Sequence, residues 1–197
     1  MTADDEWLWY GGRVSLDLVN TLRDRWTTPR ETLHTSDDVA HWLHHSGLLV
    51  GRPRTGSTPA SGLTSAVTLR EAVDRAVQTT ANDGLPAPAD LTVINEAARQ
   101  APHTAPQLVI SEGRLEPGTP ARHAEDVTTA LALVAQDAIE LLLSPEIRHV
   151  RICGSERCAL RFVDRSPGRN RRWCSMTRCG NRAKVRLHQA RSRDLNR

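Results

Sequence analysis

The sequence predicts an α+β fold: a mostly helical N-terminal domain with a small β-hairpin over residues 1–147, then a small four-cysteine module over 148–197. Three observations lead there. Apolar residues recur at helical spacing through much of the stretch from Val14 to Leu143. All four cysteines fall late, as two C-x4-C pairs (Cys153/Cys158 and Cys174/Cys179) separated by 15 residues. Formal charge divides at the same place: 148–197 holds 15 basic against 3 acidic residues (+12), whereas 1–147 holds 11 against 20 (−9).

Trp7-Leu-Trp-Tyr10, followed by Gly11-Gly12, predicts a short strand and a turn. Val14 to Arg23 predicts a short helix with Leu16, Val19, Asn20 and Leu22 turned partly inward. Thr35-Ser-Asp-Asp38 is a run of N-cap residues ahead of Val39 and Leu43, so a second helix of about ten residues should end at Gly47. Gly51 to Gly62 has loop composition. A longer helix follows from about Leu63 to Ala81, buried along Val67, Leu69, Ala72, Val73, Ala76 and Val77. Pro88 opens another, to about Ala101. Leu108–Ile110 and Arg114–Glu116, joined through Glu112-Gly113, predict the hairpin. The most apolar helix should open near Pro120, run to Leu143, and complete the N-terminal core without the C-terminal module.

Within 148–197, His149–Ile152 and Ala159–Val163 predict strands flanking the first cysteine pair, and Ser166–Asn170 a turn. A helix should run from Cys179 to about Ser192. Two cysteine pairs at this separation suit a tetrahedral zinc site with Cys153, Cys158, Cys174 and Cys179 as ligands. Two disulfides, or a redox or iron–sulfur role, are the alternatives; with no export signal, reduced thiolates are expected. The closed ligand set points to one structural zinc per chain rather than a catalytic one. His149 and His188 are nearby substitute ligands. Knuckle, hairpin, second knuckle and helix make a treble-clef-like arrangement.

Cys179-Gly-Asn-Arg182, followed by Ala-Lys-Val-Arg-x-His-x-x-Arg, resembles the signature of the CGNR zinc-finger family. Gly11-Gly-Arg-Val-Ser-Leu-Asp-Leu-Val-Asn-Thr21 looks like the opening of the ABATE domain that usually precedes this finger, with Leu18 where that opening often carries Phe. The resemblance spans nearly the whole chain and is most specific over 153–193. It implies a bacterial protein of a group proposed to act as stress-linked transcription regulators.

The basic segment independently suits a polyanion. On the helical wheel Arg182, Arg186 and Arg193 share one flank of the final helix, with Lys184 and Arg191 on the other. Arg178 and Asn181 sit at its start, and Arg165, Arg169, Arg171 and Arg172 lie on the preceding turn. Guanidinium forks match phosphate and guanine, so a helix presented by a zinc module can read a major groove. Double-stranded DNA is the expected partner, with RNA as a variant of that reading. Against it stand a merely solvated basic helix and one masked by the acidic N-terminal domain. The rival class is a protein-interaction adaptor with a purely structural finger.

Other residues carry double readings. Asn181 can read adenine or hydrogen-bond the knuckle; Arg182 can donate to a thiolate. Trp173 can stack a base or fill the module's core. His41 and His45 have a metal-capable spacing but lack the H-E-x-x-H carboxylate. Asp17, Asn20 and Arg23 either line a pocket or tie local elements together. No nucleophile–base set is evident, so an enzyme is not expected. The N-terminal domain is a candidate for sensing a small-molecule effector or for homodimerisation. No apolar run reaches the ~20 residues of a membrane span, and the acidic first six residues lack a signal-peptide pattern. A cytoplasmic protein, nucleoid-associated when on DNA, is expected.

Overall fold

The structure, a computed structural model, describes residues 7–51, 58–102, 107–118, 123–186 and 189. Five α-helices are described in its N-terminal part: α1 (Val14–Val19), α2 (Ser36–His45), α3 (Ser61–Ala81), α4 (Pro88–Ala98) and α5 (Val127–Leu143). Between them lie two antiparallel ladders, β1 (Leu22–Arg23) with β2 (Arg30–Glu31), and β3 (Gln107–Ser111) with β4 (Arg114–Gly118). A 3₁₀ turn (Pro145–His149) leads into β5 (Val150–Ile152), which pairs antiparallel with β6 (Arg161–Val163). The mostly helical N-terminal part and the hairpin-bearing cysteine module match the predicted class.

Local chemistry sets the boundaries. Helix α2 opens with a reciprocal capping box: Asp38 N–H donates to Thr35 Oγ1 at 3.1 Å, and Thr35 N–H to Asp38 Oδ2 at 2.8 Å. It ends ahead of Gly47, whose φ of +79° is the left-handed conformation that stops helices. Asp126 caps α5 by accepting from Thr129 N–H at 2.9 Å.

Three predicted boundaries are corrected. Helix α5 starts at Val127 rather than near Pro120, because Ala124 is held extended: its N–H donates to Leu48 O at 2.8 Å and its carbonyl accepts from Val50 at 2.9 Å. Residues 119–122 lie outside the described set. Helix α1 stops at Val19 instead of reaching Arg23, because Leu22 and Arg23 pair with Glu31 and Arg30. Residues Trp7–Tyr10 form no strand, since no strand among the described residues pairs with them. Their side chains still divide. Trp7 joins the helical core and Trp9 stacks on Trp42 at 5.5 Å, whereas Leu8 and Tyr10 pack on the cysteine cluster.

Helices α1, α2, α3 and α5 all send apolar side chains into the core, among them Leu16, Trp42, Leu69, Val73, Val134 and Leu141. That core does not end at Leu143, as the sequence predicts. Ile147, Val150 and Val163, from the 3₁₀ turn, β5 and β6, belong to the same cluster. Strand β6 serves two interiors: Val163 faces the helical core, while Phe162 and Leu160 pack with the cysteines.

Polar groups cross the same seam. Asn20 donates from Nδ2 to Arg161 O at 2.9 Å and accepts from Arg161 N–H at Oδ1, 2.8 Å. Val163 N–H donates to Gly11 O at 2.9 Å. The Arg161 guanidinium forks onto Asp74 of α3 and also donates to Ala159 O, with the Trp26 ring 5.7 Å away. Behind it runs a chain of charge pairs: Arg25 to Glu71 at 2.7 Å, Arg70 to Glu71 at 2.8 Å, and Arg70 to Glu31 at 2.7 Å. Burial pushes Glu31 up, but the Arg70 hydrogen bond, the backbone hydrogen bonds of Leu33 and Thr32 and the charge of Arg70 together outweigh it and hold the carboxyl below its ordinary range.

Candidate metal centre and basic surface

The hairpin of β5 and β6 brings the first cysteine pair to the second. Cys153 N–H donates to Leu160 O at 2.9 Å, closing the first knuckle, and Gly154 N–H donates to Arg172 O at 2.9 Å, laying the second against it. Ser175 starts a π-helical turn, Met176–Gly180, and accepts from Arg178 N–H at 3.3 Å. This turn carries Cys179 inward and runs directly into a helix over 181–186. A Cβ at Gly180 would lie 2.6 Å from Met176 Sδ and 3.3 Å from Trp173 Cδ1, so the end of the exposed Met176 side chain would have to move.

The four Sγ atoms lie within 4.8 Å of one another, and all four cysteines are buried. Cys158 and Cys174 sulfurs are 3.8 Å apart, and Cys174 and Cys179 sulfurs 3.7 Å. Tetrahedral zinc with bonds of ~2.3 Å has sulfur–sulfur edges of about 3.8 Å, so the donor set fits the ion. The electrostatics agree. Hydrogen bonds from the Cys158 and Cys174 thiols hold Cys153 down at about 2, and its thiolate in turn pushes Cys158 up to about 12 and Cys174 up as well. Sulfurs this close do not all ionise together unless a cation joins them. Cys174 N–H points at Cys153 Sγ from 3.4 Å, a donor suited to a thiolate ligand. Zinc at this position supplies a four-coordinate crosslink between the knuckles.

The remaining predicted residues divide by role. Arg171 stacks on Phe162, with its guanidinium carbon 4.6 Å from the ring, and donates to the Trp173 and Cys174 carbonyls. Its cation is therefore engaged in shaping the second knuckle. Trp173 packs on the cysteine cluster, as the core reading expects, and Arg172 lies 5.2 Å above its ring. Arg169 donates to Asp164 O at 3.0 Å. Arg165 pairs with Glu146 at 2.9 Å. Asn181, Arg182, Lys184 and Arg186 are exposed, and Arg178 is half-buried. No described hydrogen bond joins Asn181 or Arg182 to a thiolate; Arg186 pairs with Glu156 at 2.8 Å. His188, Arg191 and Arg193 lie outside the described residues.

His41 and His45 turn their Nδ1 atoms to carbonyls of their own helix, Asp37 O and His41 O, each at 2.8 Å. Neither histidine nor His149 belongs to the one metal-capable group found among the described residues. Asp17 accepts from Gly11 N–H at 2.8 Å, which fixes the chain ahead of α1.

Two cavities complete the picture. One, of about 430 Å³, lies between α3, α4 and α5, against Leu69, Val93, Val127 and Leu131. The other, of about 1030 Å³, opens where β1 and β2 meet the cysteine module, and Arg157 and Arg30 stand on its walls. Sequence reasoning missed both of these arginines. Arg157 sits inside the first knuckle, between two metal ligands, and Arg30 lies in the acidic half, so no local pattern marks either.

A family model described as "Putative stress-induced transcription regulator" (ABATE) matches residues 12–145, and the CGNR zinc-finger model matches 149–192. The chain belongs to the ABATE family. Its C-terminal module is a CGNR zinc finger, with the four clustered cysteines as the zinc site. A search of curated proteins found no matching relative. Among the described residues, no helix of this ABATE protein is long and apolar enough to cross a membrane.

Proposed function

We propose that this chain is a DNA-binding transcription regulator whose CGNR finger contacts double-stranded DNA through Arg178, Arg182, Lys184 and Arg186 of the π turn and following helix. One observation carries the reading. Two of the finger's arginines have acidic partners outside the finger, Arg161 with Asp74 and Arg165 with Glu146. Among the described residues, Arg178 and Arg182 have no ion pair, and Arg186 pairs only with Glu156 of the finger itself. The acidic domain therefore does not mask the described start of the helix, and its cations stay available for phosphates. On this reading the finger performs no catalysis, and the protein works in the cytoplasm on the nucleoid.

The deciding experiment is fluorescence anisotropy of a labelled random duplex with the zinc-loaded full chain over a salt range. Binding that weakens steeply with salt, and a lower slope in Arg182→Ala/Arg186→Ala, are expected. No salt-dependent binding by wild-type protein would falsify the reading and favour the adaptor alternative. That alternative draws on the β3–β4 hairpin, where Leu108, Ile110 and Leu115 are exposed at 72%, 79% and 68%. Such a surface suits a protein contact, including self-association. We assign effector sensing to the 430 Å³ cavity between α3, α4 and α5, whose walls suit a small, largely apolar molecule.

A further inference from the structure

The groove between the ABATE domain and the finger shares Arg178 and Arg182 with the contacts assigned above, but its other walls have no role in them. Arg23 and Arg30 reach it from the β1–β2 ladder, Arg157 from the first knuckle, and Arg178 and Arg182 from the π turn and helix. Among the described residues Asp24 is the only carboxylate on its walls, and its approach to Arg30 is long, at 4.0 Å. Arg30, Arg157, Arg178 and Arg182 thus share with this one acid the walls of a space of about 1030 Å³.

This chain pairs its arginines closely where they serve the fold. Arg70 meets Glu31 at 2.7 Å, Arg25 meets Glu71 at 2.7 Å, and Arg161 meets Asp74 at 2.7 Å. In the groove the pattern reverses: among the described residues, Arg157, Arg178 and Arg182 have no ion pair.

Arg178 and Arg182 also line the adjoining cleft with Asn181, Val185 and Arg186. The basic wall is therefore continuous from the groove onto the exposed face of the helix. A polymer with regularly spaced oxyanions matches a surface of that form.

We propose that the groove holds the phosphodiester backbone of the same DNA duplex that the finger helix contacts, so that Arg30 of the ABATE domain and Arg157 of the first knuckle are phosphate contacts. This rests on the DNA-binding reading above and extends it across the seam. Both side chains are exposed, so Arg30→Ala/Arg157→Ala should retain the fold, and its zinc content is measured beside that of wild type.

The test compares wild-type full chain, Arg30→Ala/Arg157→Ala and Arg182→Ala/Arg186→Ala by duplex anisotropy over a salt range. Inorganic pyrophosphate is titrated in parallel by calorimetry. Two lost phosphate contacts lower the slope of log affinity against log salt by about 1.8, and Arg30→Ala/Arg157→Ala should show that loss on any duplex sequence. If its slope and affinity match wild type while the helix variant loses both, the groove proposal is overturned and the helix reading stands. If wild type also takes up one pyrophosphate per chain that Arg30→Ala/Arg157→Ala no longer binds, the groove belongs to a free phosphorylated molecule, again against the proposal. A wild-type chain that binds no duplex overturns both readings together.

Discussion

Arg161 of β6 and Asp74 of α3 form a two-point pair across the seam between finger and helical domain, at 2.7 and 2.9 Å, with 3% and 7% of their side chains exposed. Asp74→Ala leaves a guanidinium in the interior without its counter-charge, at a cost of about 3–5 kcal/mol. Urea unfolding should show that loss. The double variant Arg161→Met/Asp74→Leu should recover most of it, since apolar pairs of similar volume replace buried ion pairs at little cost. A double variant as unstable as Asp74→Ala would mean that other contacts of Arg161 dominate.

A chain ending at Pro145 should lose cooperative melting. It removes Ile147, Val150 and Val163 from the helical core, and each such side chain contributes roughly 1.5–3 kcal/mol when fully buried. Calorimetry checks this: a broad transition with dye-accessible apolar surface is expected, and a sharp transition like that of the full chain would contradict the shared core.

Metal content should be one zinc per chain, and Cys174→Ser should reduce it sharply. Structural zinc contributes on the order of 10 kcal/mol to small modules, so its removal by a chelator should unfold the finger. Loss of the finger should also lower the melting temperature of the helices, because Val150 and Val163 belong to both parts. Elemental analysis together with circular dichroism reads both effects.

Arg171 and Arg172 are adjacent and equally charged, but they should differ on mutation. Arg171 donates to two backbone carbonyls of the second knuckle, whereas Arg172 only lies over Trp173. Arg171→Ala should weaken zinc binding by about 10–100-fold, the range for residues that orient metal ligands. Arg172→Ala should leave it nearly unchanged. Competition with a chromogenic chelator separates them.

Burial raises Asp17 from 3.8 to about 7, against the Gly11 hydrogen bond and with help from the charge of Asp137. Between those values the folded chain keeps a proton that the unfolded chain has released, so this group's contribution to stability falls as pH rises from about 4 to about 7 and is level above. Asp17→Asn keeps an acceptor for Gly11 and carries no charge. It should melt near wild type at pH 4, and higher than wild type at pH 8 by roughly 2–8 °C, the shift for about 1–2 kcal/mol in a chain of this size. Parallel melting curves that never diverge with pH would refute the assignment.

The zinc site was legible because its chemistry is local: thiolates at fixed spacing need only a hairpin to meet. Helices α2 to α4 were legible from their caps and apolar periods. The seam was not. Asn20 reads as one more inward residue of a short helix, and nothing near it points to Arg161, 141 positions away. Arg161 itself reads as part of the basic segment, since a buried arginine is recognisable only once its carboxylate is placed beside it. The late start of α5 has the same origin, because Ala124 is drawn out of helix by a backbone pairing with Leu48 and Val50.

Strand β6 has a consequence for how such proteins are built. With Phe162 committed to one interior and Arg161 and Val163 to the other, the finger is not a portable cassette. Grafted onto a different helical scaffold, it would bring a cation in search of a carboxylate and a backbone edge in search of Asn20 and the Gly11 carbonyl. Chimeras that exchange the finger alone should misassemble at this strand, whereas exchanges that carry α1 and α3 along with the finger should be tolerated.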